Sequence, residues 1–157
     1  MKIVIIYDSV YGNAEKIGMA VKGGFGTGHE VSVIKAKDAD SKDIEGTELL
    51  IVGSPTHGGW FTEPVKVFLD KLPEKSLEGI KAASFATSSS AENQGLFVKI
   101  ITKVFSNASP RIAKVLKMKG ADIIGSESFF VTGKEGPLKD NEIQHAQEWA
   151  RNLLNAK

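Results

Sequence analysis

The sequence predicts an α/β fold: a parallel sheet covered by helices on both faces. Apolar, strand-forming runs alternate with helical patterns along the chain. Leu49-Leu50-Ile51-Val52-Gly53 is apolar almost without a break, as a central parallel strand buried on both faces must be. Lys2-Ile3-Val4-Ile5-Ile6-Tyr7 passes through a short Gly- and hydroxyl-bearing turn, Ser9 to Ala14, directly into a helical pattern.

In chain order, residues 2–7 form the first strand. A helix from Asn13 to Lys22 places Ala14, Ile17 and Val21 on one face and ends in the glycines at 23, 24 and 26. Val31-Ser32-Val33-Ile34 is a second strand, and Asp38 to Gly46 a polar connection with room for one helical turn. Residues 49–53 make the third strand. Thr62 is placed to cap a helix with Pro64 in its first turn and Val65, Phe68, Leu69 and Leu72 as its buried stripe. Ala82 to Thr87 is the fourth strand. Leu96 to Phe105 reads as a strongly apolar helix of core character, broken and re-capped at Ser109-Pro110 and continued to Gly120. Ile123-Ile124 and Phe129-Phe130-Val131 form a fifth strand bent near Gly125. Asp140 is placed to cap the last helix, with Ile143, Ala146, Ala150 and Leu153 facing inward. No linker, repeat or low-complexity tract interrupts the 157 residues, so one domain is expected, burying about 70% of its unfolded surface.

Composition narrows the function classes. The formal charge of +1 and pI near 7.9 point to neither nucleic acid nor an anionic membrane. Without cysteine there are no disulfides, thiolate metal sites or cysteine nucleophiles. Acidic residues are scattered, with no metal-ligand or paired acid/base pattern. No signal peptide precedes Tyr7-Asp8, no run approaches the roughly 18 apolar residues of a membrane span, and the expected location is the cytoplasm. Asn107-Ala108-Ser109 matches a glycosylation sequon by chance on that reading. Gly23 to Gly28 is not a dinucleotide fingerprint, because it follows a helix and precedes a strand.

Ligands of such sheets bind beyond the carboxyl ends of the strands. Three loops meet there. Ser9-Val10-Tyr11-Gly12-Asn13-Ala14, at a helix N-terminus, offers unpaired N–H groups and a favourable dipole to an anion. Ser54-Pro55-Thr56-His57-Gly58-Gly59-Trp60 combines paired glycines with a large aromatic, and His57 reads as a hydrogen-bond donor rather than an acid–base catalyst. Thr87-Ser88-Ser89-Ser90, continuing through Asn93 to Gly95, is rich in polar donors. No Lys or Arg lies in these three loops. The set suits a planar heterocycle with a phosphate tail.

Ser9-x-Tyr11-Gly12-Asn13-Ala14-Glu15, Gly53-Ser54-Pro55-Thr56 before Gly58-Gly59, and the stretch Phe129 to Ala150 resemble the flavodoxin-like family over essentially the whole chain. The resemblance implies a three-layer α/β/α sandwich with a five-stranded parallel sheet in the flavodoxin-like order 2-1-3-4-5, and FMN as cofactor. It makes residues 9–14 the phosphate site, with Ser9, Tyr11 and Asn13 as side-chain donors. Residues 56–60 would line the isoalloxazine, and a glycine there allows a peptide to turn its carbonyl towards N5 of the half-reduced flavin. Residues 87–95 would hold the pyrimidine edge. A phosphate left without a counter-charge would disfavour full reduction to the anionic flavin. Tyr11 and Ala14 stand where flavodoxins often have threonine.

The function implied is low-potential electron transfer between redox proteins, with a flavoprotein reductase or an iron–sulfur protein as partner, in a monomer or a dimer. Near-neutral charge and the lack of an aromatic residue in 87–95 also suit an NAD(P)H:quinone or other small-molecule oxidoreductase of the same superfamily. A flavin-free structural module ranks third, because the phosphate turn is preserved.

Overall fold

The computed structural model describes residues 1–89 and 107–156. Five strands, β1 (Lys2–Tyr7), β2 (Glu30–Lys35), β3 (Leu49–Pro55), β4 (Lys81–Ser89) and β5 (Asp122–Val131), form one parallel sheet in the order β2-β1-β3-β4-β5. Between them run α1 (Asn13–Gly24), α2 (Glu63–Lys71), α3 (Ala108–Met118) and, after β5, α4 (Glu142–Leu154). The polar connection after β2 holds two short 3-10 turns, Ala36–Asp38 and Ser41–Ile44. The expected apolar helix over 96–105 lies outside the described residues.

Strand alternation divides the apolar residues between two cores. Ile3, Ile5, Leu49, Ile51, Ala83, Phe85 and Phe129 face one side with Ile17 and Val21 of α1 and Ala146, Ala150 and Leu153 of α4. Val4, Ile6, Leu50, Val52 and Ala82 face the other, with Val65, Phe68 and Leu69 of α2 and Ile112 and Leu116 of α3. Val4, Ile5, Ile6, Leu50 and Ile51 are fully shielded from solvent, which is why these segments read as unbroken apolar runs.

The bend expected near Gly125 is a bulge. Ala82 pairs with Ile123 but Ala83 pairs with Gly125, so Ile124 is the extra residue and β5 continues as one strand. Strands β3 and β4 run further than the sequence suggests, to Pro55 and Ser89. Pairing continues there: Pro55 lies opposite Thr87, and Ser89 opposite Val131.

Four local expectations need correction. Asn141, in a left-handed conformation with φ 68°, precedes α4 in place of Asp140. Ile143 is exposed, and Trp149 takes the inward position with Ala146, Ala150 and Leu153. Asn107 rather than Ser109 caps α3, its side-chain oxygen accepting the Ser109 N–H at 3.0 Å. Thr62 precedes α2 as expected, but its hydroxyl does not cap the helix; the Thr62 N–H instead donates to Ser54 Oγ at 3.0 Å.

Close packing at the sheet centre depends on Gly53. A Cβ built there would fall 2.0 Å from Phe85 Cζ, because the Phe85 ring crosses the neighbouring strand at this point. Neither the strand nor a fully buried ring can step aside cheaply. Gly53→Ala is expected to lower unfolding free energy by about 3 kcal/mol. Urea denaturation measures it, and a loss under about 0.5 kcal/mol would contradict this packing.

Candidate cofactor site

The turn after β1 is shaped by one hydroxyl and one glycine. Ser9 Oγ accepts the Gly12 N–H at 3.1 Å and the Glu15 N–H at 3.3 Å, folding the turn back onto the start of α1. Gly12 has φ 90°, a conformation that costs an L-residue about 1–2 kcal/mol. A Cβ at Gly12 would meet no atom within 4 Å, so glycine is required here by the backbone angle, not by crowding from the protein. The N–H groups of Val10, Tyr11, Asn13 and Ala14 have no acceptor among the described residues. They lie at the positive end of α1, the arrangement that binds an anion. Tyr7, beneath the turn, donates its hydroxyl to Glu15 Oε1 at 3.2 Å; burial first, then the Glu15 charge, push its pKa up and keep the phenol neutral.

The loop after β3 is held at both ends by hydroxyls. Ser54 is fully buried; its Oγ accepts from Thr62 N and donates to Pro55 O at 2.8 Å. Ser54 therefore ties the loop to the start of α2 and does not face the cleft. Thr56 donates its N–H to Thr87 O at 2.8 Å, and its Oγ1 accepts the Ala108 N–H of α3 at 3.2 Å. Between these ties His57 and Trp60 exchange two backbone hydrogen bonds, 2.9 and 3.0 Å, around Gly58 and Gly59. Positive φ at both glycines, 56° and 80°, is the signature of a type I′ hairpin turn. Trp60 is exposed and its ring lies under the Arg111 guanidinium, 4.2 Å from Cζ to the ring centroid.

Arg111 is placed by the start of α3, where buried hydroxyls meet. Ser84 Oγ of β4 donates to Ser109 O at 2.8 Å, and Ser109 Oγ lies 2.7 Å from Ser126 Oγ of β5. The Asn107 side-chain amide donates to Ser128 Oγ. This network has no sequence signature, since isolated serines in apolar strands carry no distinctive spacing.

Together the loops enclose a cleft of about 440 Å³. Ser9, Val10, Tyr11, Asn13 and Ala14 line one side of it. Pro55, Thr56, His57 and Gly58 line another, and Thr87, Ser88 and Ser89 complete the expected set. Gly12, Ser54, Gly59 and Trp60 are not among its lining residues. Ser90, Asn93 and Gly95 lie outside the described residues.

Two further lining residues, Val131 and Lys134, are not among those expected from sequence. Val131 ends β5, and Lys134 lies in a fourth loop that follows it. The strand order 2-1-3-4-5 sets β5 beside β4, and that adjacency is the signal that could have found them. The three loops contain no lysine or arginine, and the fourth adds one cation to the cleft, Lys134. Among the described residues no group of His, Asp and Glu is arranged to hold a metal ion.

Comparison with known proteins bears on this cleft. The profile of the flavodoxin family matches residues 5–149. A flavodoxin of Clostridium saccharobutylicum is 32% identical over 92 residues, an alignment that spans 57% of this chain and 58% of that protein. Among solved structures, a flavodoxin from the domain Archaea superposes with a TM-score of 0.75 at 18% identity, covering 99% of this chain and 97% of that one. Oxidised flavodoxin 1 of Bacillus cereus gives 0.72 at 23% identity, covering 99% and 98%. The amides around the start of α1 that find no acceptor among the described residues, and the size of the cleft, within the roughly 300–1,000 Å³ of small-molecule sites, fit the FMN that this family binds. The chain belongs to the flavodoxin family.

Proposed function

We propose that this chain is a one-electron carrier that holds one FMN in the cleft and passes electrons between redox proteins. The observation that carries the reading is the set of N–H groups at Val10, Tyr11, Asn13 and Ala14, at the wall of the cleft, that find no acceptor among the described residues. They would hold the phosphate, while Thr56 to Gly58 and Thr87 to Ser89 flank the ring. One phosphate turn suits a mononucleotide better than FAD. FMN, when bound, supplies the redox chemistry; the protein supplies position and field.

The hairpin 57–60 adds a movable dipole. Its backbone hydrogen bonds fix both ends, so rotation is confined to the peptide between Gly58 and Gly59. Gly58 and Gly59 both hold positive φ, 56° and 80°, where glycine is unstrained, so that peptide can present N–H or C=O to the cleft at little backbone cost. Among the described residues that line the cleft, His57 is the one imidazole, and its proposed role is hydrogen bonding. A carrier needs positioning and no proton-transfer catalyst.

Redox partners are flavoprotein reductases or iron–sulfur proteins on this reading, with the chain acting as a monomer in the cytoplasm. No helix among the described residues is long and apolar enough to cross a membrane. The near-neutral charge means docking rests less on long-range steering than in a strongly acidic carrier.

The purified protein is expected to carry one acid-releasable FMN per chain, to oxidise NADH or NADPH slowly by itself, and to accept electrons readily from a flavoprotein reductase. Chromophore identification and stopped-flow reduction check this. Released FAD, or no uptake of added FMN, would refute the cofactor assignment; rapid NAD(P)H-dependent quinone turnover by the isolated protein would make it a reductase instead.

Gly12→Val tests the phosphate turn. A β-branched residue is strained at φ 90°, so the turn should open and its amides diverge. FMN affinity is expected to fall at least about tenfold more than riboflavin affinity, the scale of one lost charge-assisted hydrogen bond. Fluorescence titration with both ligands measures this, and equal losses would make the turn purely structural.

A further inference from the structure

We propose that Lys134 is the counter-charge for the cofactor's phosphate, supplied by the loop after β5 and not by the phosphate turn. The proposal rests on the FMN reading above and adds a residue to it.

The loop is built to hold one residue over the cleft. Immediately before Lys134, the Gly133 carbonyl accepts from Ser89 Oγ at 2.9 Å. Immediately after it, the Glu135 carbonyl accepts from Asn13 Nδ2, also at 2.9 Å. Lys134 is thus bracketed by ties to two cleft-lining residues, one at the end of β4 and one at the start of α1. Further out, the Thr132 N–H and Oγ1 both donate to Pro137 O, at 2.7 and 2.9 Å, and the Lys139 N–H donates to Phe130 O at 2.9 Å. These bonds close the loop on itself. Gly136 packs so tightly on Asn13 that a Cβ there would fall 2.6 Å from its Nδ2. The segment is therefore fixed against the phosphate turn over several residues.

The electrostatics are equally specific. Among the described residues, Lys134 is the only lysine, arginine or carboxylate lining the cleft. No acid among the described residues pairs with its ammonium group. The isoalloxazine and ribityl parts of oxidised FMN are uncharged at neutral pH, so the phosphate is the group on which a lone cation acts. Lysine suits this role as a flexible point charge: it reaches the anion without the fixed fork geometry that arginine demands. Because Lys134 is exposed, its contribution should be modest and screened by salt.

The test compares FMN and riboflavin binding to the wild-type apoprotein, Lys134→Gln and Lys134→Arg, at low ionic strength and near 1 M salt. Lys134→Gln is expected to weaken FMN about fivefold at low salt and to leave riboflavin unchanged, with the difference largely lost at high salt. Lys134→Arg should stay within about threefold of wild type, since it keeps the charge. If wild type binds FMN and Lys134→Gln weakens it by less than about twofold, or weakens riboflavin equally, the proposal is wrong and the FMN reading stands. If wild type binds no FMN, both fall together.

Discussion

Parallel pairing is the constraint from which the site follows. Strands that all run one way end on one edge of the sheet, and the helices that follow them start on that same edge. The carboxyl ends of β1, β3, β4 and β5 therefore bring four loops to one cleft, although they are widely separated in sequence. Burial on both faces makes the arrangement stable. It requires apolar residues at successive positions of β1 and β3, and it forces close approaches such as Phe85 on Gly53.

Polar groups at this edge divide into those that are satisfied and those left free. Ser54, Thr56, Ser84, Ser109 and Ser126 spend their hydroxyls on backbone or on one another, anchoring the starts of α2 and α3 to the strand ends. The fully buried hydroxyls among them, Ser54, Ser84 and Ser109, need partners, because an unsatisfied one costs about 1–3 kcal/mol. The N–H groups of the β1–α1 turn face a different condition: they border the cleft, where a ligand or water can serve as acceptor. Rigidity from the first group gives the second a fixed geometry. Binding then needs little reorganisation, which is how a small protein can hold a mononucleotide without a dense set of charges.

Much of this is legible in the sequence, for identifiable reasons. The strands are visible because double burial leaves no polar positions in Leu49 to Val52, and the bulge is visible because Gly125 follows the apolar pair Ile123-Ile124 within the fifth strand. The phosphate turn is visible because a strand, a glycine and a helix start occur in close succession. Local caps are less legible: Asp140 and Asn141 are adjacent and both plausible, and only the backbone angle of Asn141 distinguishes them. Sequence alone assigns Ser54 and Trp60 to the flavin site. Ser54 turns into the core to hold α2, and Trp60 sits beneath Arg111, a partner so far along the chain that no local pattern reveals it. Lys134 is legible only through the strand order, which sets β5 beside β4; its loop carries no phosphate-binding motif and is tied to the cleft through Ser89 and Asn13.

The central claim is that the backbone amides around the start of α1, which find no acceptor among the described residues, hold the phosphate of the cofactor. Amide resonances of the 15N-labelled apoprotein test it most directly, recorded alone, with riboflavin and with FMN. The Val10, Tyr11, Asn13 and Ala14 amide protons are expected to move downfield on adding FMN and to stay nearly in place with riboflavin, while Gly58 and Thr87 respond to both ligands. If FMN binds and those four amides do not move, or move equally with riboflavin, the phosphate lies elsewhere and the claim is wrong.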